Sequence, residues 1–478
     1  MTTTASSPAA PTPAVPSPAV PTSDVPAAQV LADLRRVHAG GRTHERAWRD
    51  AQLAGLERLL AEREQEIVAA IAADLGRDGV EAWMGDVASS RAEVLHARRH
   101  LRRWMRRRPQ AVPLHQQPAL AWVQPEPLGV VLVIGPWNYP VYLVLAPLVA
   151  ALAAGNCAVV KPSELAPVSS ALLAELLPQY VDPEAVRVVQ GDATTSQDLI
   201  ASGFDHVLFT GGTEVGRKIM EAAAPTLTPV TLELGGKSPV VVTASADLEV
   251  TARRIAWFKL VNSGQTCIAP DYVLVDAGVR DRFVDLLVGA VRDLRRDKAG
   301  AGLPIVNDRQ LTRLAAYLRS TTGRVALGGG VDEAARTIEP TVVVDPDPED
   351  ELMREEIFGP LLPVLTYRTL DEAISFVNAR PKPLAFYAFT SSAPDRRRLV
   401  REVPAGGTVV NHVGMHSLVP QLPFGGVGAS GTGAYHGRWG FDALSHRKAV
   451  LSRTTRLDPS FVYPPYSPRA VRLIKRVL

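Results

Sequence analysis

What most constrains the fold of this chain is an alternation of short β-rich runs with helical segments. Val130–Ile134, Ala158–Val160, Val186–Val189, His206–Phe209 and Val230–Leu234 are apolar or β-branched runs, most of them separated by stretches with helical periodicity. Continuous apolar runs suit strands buried on both faces, and helices between them suit parallel crossovers, so the pattern predicts a doubly wound α/β sheet. A second series begins at Pro239–Val242 and continues through Tyr272–Val275, Thr341–Val344 and Leu362–Leu365. It reads as a second α/β domain, with the boundary near Gly235-Gly236. A length of 478 residues is more than one core serves and agrees with more than one domain.

Ahead of the first run, Leu53, Leu56, Leu60, Ile67 and Ile71 recur at helical spacing and predict one long amphipathic helix from Ala47 to Leu75. A second helix carries Arg98, Arg99, Arg102, Arg103, Arg106, Arg107 and Arg108 around an apolar stripe of Leu101, Trp104 and Met105. That stripe makes the arginines a solvated helix face, and a net charge of +3 gives no reason to expect nucleic acid as a partner. Pro109 to Pro127 has the pattern of neither a core helix nor a core strand and reads as a protruding arm. Residues 1–28 are rich in Pro, Ala, Thr and Ser and read as a disordered tail. No apolar run is long enough to span a membrane. With no secretory signal and only two cysteines, the chain is expected to be cytoplasmic.

Two cysteines also shorten the search for a thiol nucleophile. Cys157 sits at the entry to a buried strand and reads as core. Cys267 ends the small polar loop Asn262-Ser263-Gly264-Gln265-Thr266, surroundings unlike those of a core thiol, and both a catalytic and a structural reading stand. Glu233 closes an apolar strand before Gly235-Gly236. It is either a general base or a salt-bridged strand-end carboxylate. Asn138 follows Val130–Ile134 at a strand end, where open α/β sheets bind ligands; its amide suits an oxyanion, and an asparagine also suits a turn. Gly211-Gly212-Thr213-Glu214-Val215-Gly216 lies between a strand and a helix, so backbone N–H groups and a helix N-terminus could receive a pyrophosphate. His412 and His416 are four apart in a loop with no third ligand, and no metal site is expected.

Together these segments resemble the aldehyde dehydrogenase family, specifically its class 3 branch acting on fatty and aromatic aldehydes. The likeness runs from about Leu53 to the C-terminus. It rests on Pro127-Leu128-Gly129-Val130 leading to Pro136-Trp137-Asn138-Tyr139-Pro140, on Lys161-Pro162-Ser163-Glu164 and on the glycine turn at Gly211. It rests further on Leu232-Glu233-Leu234-Gly235-Gly236-Lys237-Ser238-Pro239, Ser263-Gly264-Gln265-Thr266-Cys267, Glu355-Glu356-Ile357-Phe358-Gly359-Pro360 and Leu422-Pro423-Phe424-Gly425-Gly426-Val427-Gly428.

The resemblance implies a Rossmann-like NAD-binding domain (29–108 and 128–235), a catalytic α/β domain (236–435) and a small β oligomerisation arm (109–127 and 436–460), with residues 461–478 as an extension. It implies Cys267 as nucleophile, Glu233 as the base for water and Asn138 as oxyanion donor, with oxidation of the aldehyde to its acid through a thioester. Lys161 and Glu164 would meet the adenosine ribose, Gly211 and Gly216 the pyrophosphate, and Glu356 and Phe358 the nicotinamide end. A carboxylate at Glu164 favours NAD, while Lys161 beside it leaves NADP use open. A hydrophobic aldehyde is the expected substrate and a homodimer the expected assembly. The segment around Asn411–Gln421 follows the family only loosely and is placed on the substrate side. The basic amphipathic end Ala470–Leu478 is expected to pack on the protein's own surface in preference to an anionic membrane. Two alternatives remain: a CoA-acylating relative, against which Glu233 counts, and a non-catalytic scaffold, which would have no need to keep Asn138, Glu233 and Cys267 together.

Overall fold

A computed structural model describes residues 25–77, 79–296 and 302–477. Most of the expected tail lies outside these residues, and a helix, Ala27–Ala39, already begins within its last two positions. Both predicted sheets are present. The first has the order Gly431–Thr432, Val230–Leu234, His206–Gly211, Val130–Ile134, Cys157–Lys161, Val186–Val188. All its pairings are parallel except that of Gly431–Thr432. The strand order reverses between Val130–Ile134 and its neighbour His206–Gly211, so the carboxyl ends of these two strands open the crevice where such sheets take ligands.

The second sheet runs Arg324–Leu327, Thr341–Val344, Leu361–Tyr367, Tyr272–Asp276, Pro239–Val242, Ala385–Phe389, Gly407–Val410. It is parallel apart from its first pair.

Between the two cores lies the helix Tyr142–Ala154, buried at every position and with Pro147 inside it. Its sequence is apolar all round, which in a soluble protein requires packing on all sides. Tyr142, Leu143 and Ala146 join the core of the second sheet, while Val144, Leu145 and Leu148 join the helical layer over the first.

Two expectations are corrected. The helix over Ala47–Leu75 is two helices, Arg46–Glu62 and Glu64–Leu75, broken at Arg63. The first packs on Ser89–Trp104, Tyr142–Ala154 and Pro167–Tyr180, and the second on Pro167–Tyr180. The arm is β structure, as the resemblance implied: Ala119–Pro127 pairs with Ser445–Arg453 over its whole length and with Arg108–Gln110. It showed no core pattern because its residues are half-exposed throughout. The second correction is to the arginine helix, which is Ser89–Trp104: Leu101 and Trp104 are buried as expected, but Arg106, Arg107 and Arg108 lie beyond its end, and Arg108 opens the strand Arg108–Gln110. At the C-terminus, Pro468–Val477 is helical, with Ala470 buried and Val471 and Leu473 exposed.

Asn156 joins several of these parts. Fully buried, it accepts from the N–H groups of Leu128 (2.7 Å) and Gly129 (3.0 Å) and donates to the carbonyls of Ala151 and Leu444. Asn156→Ala strands two buried N–H donors, and unfolding free energy is expected to drop by about 3 kcal/mol. A urea midpoint unchanged at constant slope would contradict this.

Candidate active site

The predicted residues converge at the carboxyl ends of the first sheet. Asn138 follows the Val130–Ile134 strand, Lys161 ends its neighbour, Gly211 ends His206–Gly211, and Glu233 lies in the last parallel strand, opposite Thr210. Facing them is the Cys267 loop of the second sheet's domain. Strand ends aim side chains into the crevice without giving up ladder hydrogen bonds, so residues far apart in sequence reach one place.

The loop before Cys267 is held in a costly conformation. Asn262 and Ser263 have φ of 50° and 51°, and Gly264 follows at 71°. Left-handed backbone at two non-glycine residues costs about 1–3 kcal/mol each, and the surroundings must over-determine it. They do. The Asn262 amide donates to the Asn138 and Gln265 carbonyls, Ser263 Oγ both donates to and accepts from Leu303, and the Gln265 side chain bonds Asn262, Pro304 and Val306. At Gly264 a Cβ would sit 2.3 Å from the Gly359 carbonyl, so only glycine fits. The polar loop read as a possible thiol site thus spends its polar side chains on its own geometry.

Asn138 is buried, and its amide nitrogen donates to the Gln265 carbonyl at 3.1 Å. Cys267 is partly buried and opens onto a cavity of about 780 Å³. Tyr139, Tyr142, Trp257, Phe258, Ile268 and Phe424 line it, and Val80, Met84, Leu294 and Leu418 are exposed apolar residues on its wall. Gly414, Met415, Ser417 and Leu418 place the divergent segment on this cavity, as expected.

Desolvation pushes the Cys267 thiol well above its usual range, helped by the Glu356 and Glu233 carboxylates and opposed by the N–H groups of Cys267 and Ile268. Among the described residues neither oxygen of Glu233 has a hydrogen-bond partner, and burial raises this carboxyl far above the ordinary value. The salt-bridge reading of Glu233 therefore has no partner to support it. A buried carboxyl with no partner at a strand end keeps both oxygens available to an incoming group, and such groups cluster at functional sites.

The residues for a dinucleotide fit one. Gly212 caps the Thr213–Ala223 helix with no side chain on its N–H groups, and a Cβ there would enter open space. At Gly216 a Cβ would meet Leu234 at 2.6 Å, so glycine lets that helix lie close on the sheet. Lys161 is buried and donates to Glu164 at 2.7 Å. Glu356 sits against Gly235, where a Cβ would collide with its carboxylate, and burial and the Asp271 charge push it up to about 8. Phe358, at φ 48°, meets Trp137 edge to face at 5.6 Å.

Sequence reasoning missed what holds this end together. Lys237 Nζ donates to Asp271 and to the carbonyls of Leu352 (2.9 Å) and Glu355 (2.8 Å), while Asp271 accepts from the Ile357 N–H. Lys237 lies inside a motif already noted, yet nothing in sequence pairs it with Asp271.

The thiol environment has a measurable consequence. With its pKa raised, the Cys267 thiolate fraction stays small through neutrality, so alkylation by iodoacetamide should rise about tenfold per pH unit from pH 7 to 9 in the cofactor-free protein. A plateau near pH 8.5, the ordinary cysteine value, would contradict the environment described.

Residues 13–450 match the model of the aldehyde dehydrogenase family. The chain is 45% identical over 452 residues to mouse aldehyde dehydrogenase family 3 member A2, covering 94% of this chain and 93% of the relative. It is also 45% identical to human family 3 member B1, over 93% of this chain and 96% of the relative. Among solved structures, a substrate-bound Staphylococcus aureus AldH superposes with a TM-score of 0.90 at 38% identity, covering 94% of this chain and 98% of its own. An indole-3-acetaldehyde dehydrogenase complexed with NAD+ does so at 0.81 and 27% identity, over 90% of each chain.

The expected cytoplasmic location is corrected by these relatives: the animal A2 and B1 members are membrane-associated. Few cysteines and the lack of a spanning run do not separate a cytosolic protein from one held at a membrane surface. Among the described residues no helix is long and apolar enough to cross a membrane. By sequence, by fold and by the arrangement of its strand-end residues, this chain belongs to the aldehyde dehydrogenase family.

Proposed function

We propose that Cys267, Glu233 and Asn138 divide the oxidation of a hydrophobic aldehyde between them, and that the chain works as a homodimer. The enzyme is an NAD(P)-dependent aldehyde dehydrogenase. The observation that carries the division of labour is the buried Glu233 carboxyl, without a partner among the described residues and near enough to raise the Cys267 thiol, with Cys267 lining an apolar cavity.

Cys267, having given up its thiol proton to solvent, adds as the thiolate to the aldehyde carbon from the cavity side. One N–H of the Asn138 amide is engaged by Gln265, and the other is the donor left for the developing oxyanion, together with the backbone N–H of Cys267. Bound NAD supplies the acceptor for the hydride that the tetrahedral carbon releases. Lys161 and Glu164 would hold its adenosine ribose, Gly211 and Gly216 its pyrophosphate, and Glu356 and Phe358 its nicotinamide end. The carbon left on sulfur is a thioester. Glu233 takes a proton from water as that water attacks it, and the acid and the free thiol result. A carboxyl with a raised pKa is the stronger base once ionised, so hydrolysis should quicken as pH rises.

Substrate class follows from the cavity. Its aromatic and aliphatic walls and about 780 Å³ offer apolar contact to an aliphatic chain or an aromatic ring. The chain divisions read from sequence are retained in this proposal, with the cofactor domain in 29–108 and 128–235 and the catalytic domain in 236–435. The arm supports the dimer: among the described residues Ser445–Arg453 pairs on one side only, which leaves its other edge for a second chain. Light scattering should give about twice 51.4 kDa, and a mass near 51.4 kDa at micromolar concentration would contradict the dimer.

Cys267→Ala should abolish NADH formation, because no hemithioacetal forms. Glu233→Gln should release about one equivalent of NADH and then accumulate a thioester, seen as added mass on the Cys267 peptide. Its steady-state turnover should fall by about 10²–10⁴. Unimpaired turnover in Glu233→Gln would show that another group activates water.

A further inference from the structure

Behind the Asn138 loop lies an ion pair with no access to solvent. The side chains of Arg77 and Asp86 are both fully buried and hydrogen-bonded to each other. Asp86 sits in a π-helical turn, Trp83–Ala88, inserted before the Ser89–Trp104 helix. Such turns displace side chains from the regular helical register. The second oxygen of Asp86 accepts from the N–H groups of Val141 (3.0 Å) and Tyr142 (2.9 Å), at the start of the central helix. Burial pushes this carboxyl up and Arg77 pulls it down. All three partners are donors, so nothing there accepts a carboxyl proton, and the site holds the carboxylate.

Arg77 faces the same segment from another side. Its guanidinium carbon lies 4.4 Å from the centre of the Tyr139 ring. At Gly85 a Cβ would sit 2.7 Å from Arg77 Nη1 and 2.9 Å from Tyr139 Cε1, so the packing around this stack excludes even one added methyl. Among the described residues Arg77 Nε and Nη1 have no hydrogen-bond partner. A buried guanidinium that leaves donors unmade is costly, and the ring face is its compensation. The stacked tyrosine then reaches forward: Tyr139 and Thr266 hydroxyls lie 2.8 Å apart, and Thr266 precedes Cys267.

We propose that Arg77 and Asp86 are positioning residues for the oxidation, fixing the Asn138–Tyr142 segment from behind and, through Tyr139 and Thr266, holding the oxyanion amide and the thiol in one register. Asp86 holds the segment at Val141 and Tyr142, and Arg77 holds it at Tyr139. Asn138 lies directly before, and its own amide and carbonyl bond to the Cys267 loop. Freedom at Tyr139 would let the amide and the thiol shift relative to each other, and a displacement of about 1 Å at reacting groups can cost about 100-fold in rate. This rests on the roles given above to Cys267 and Asn138.

Two variants test it, both in the full-length enzyme with NAD present. Arg77→Lys keeps the charge and loses the planar stack; Tyr139→Phe keeps the ring and loses the bond to Thr266. In each, the rate constant of the first NADH burst should fall by about 10–100-fold, with NAD affinity by titration within about twofold of the parent. A merely structural role would not show the decisive result, which is dependence on Asn138. In an Asn138→Ala background, which already lacks the amide, either change should cost less than about threefold. Burst rates within about twofold of the parent in both variants would overturn the proposal, as would an equal fold loss with and without Asn138. Cys267→Ala is the control for the underlying reading: a burst that survives it refutes the thiol mechanism itself, whatever Arg77 does.

Discussion

The structure depends on burying one helix that has no polar face. Tyr142–Ala154 lies between both cores, and such a helix leaves its terminal backbone groups without water. Both ends are met by buried charged side chains. At the N-terminal end, Asp86 takes the N–H groups of Val141 and Tyr142. At the C-terminal end, Arg49 donates to the Ala153 carbonyl at 3.1 Å, and Gly155 leaves the helix at φ 89° with the Arg49 guanidinium where a Cβ would go. A negative side chain at the positive end and a positive one at the negative end also follow the helix dipole. With the helix held this way, the turn ahead of it, carrying Asn138, is anchored on the crevice side.

From that anchor the site is assembled by mutual constraint. The Cys267 loop adopts left-handed backbone that its own residues would not choose, and bonds from Asn262, Ser263 and Gln265 to two other segments, at Asn138 and at Leu303-Pro304, hold it there. The Lys237–Asp271 pair does the same for the Glu356 loop. Buried charge is therefore paired where it holds backbone, as at Asp86 and Lys237. Glu233 differs: among the described residues its carboxyl has no partner, and with no counter-charge to offset desolvation it stays far above the ordinary value.

How much was legible depended on whether the signal was local. Val130–Ile134, Val230–Leu234, Pro239–Val242 and Thr341–Val344 are strands with the bounds read from sequence, because continuous β-branched runs leave little choice. The strands Ala385–Phe389 and Gly407–Val410 went unread: the first is mixed with aromatics and alanine, and the second is short and starts with glycine. The break at Arg63, whose backbone leaves the helical region, carries no glycine or proline to mark it in the sequence. Gly431–Thr432, far along the chain, joins the first sheet opposite Glu233 and Leu232, which no local pattern could show.

The amino-acid sequence by itself determined the α/β class and the identity of the family, because each is carried by residue type and short-range order. The tertiary structure decided everything that depends on what surrounds each side chain. It made Glu233 an unpaired acid and put Cys267 at an apolar cavity. It also joined Arg77 and Asp86 to a loop more than fifty residues further along the chain. Burial and pairing are properties of three-dimensional neighbours. They set the free energy of a charge or a strained backbone, and no stretch of chain contains its own surroundings.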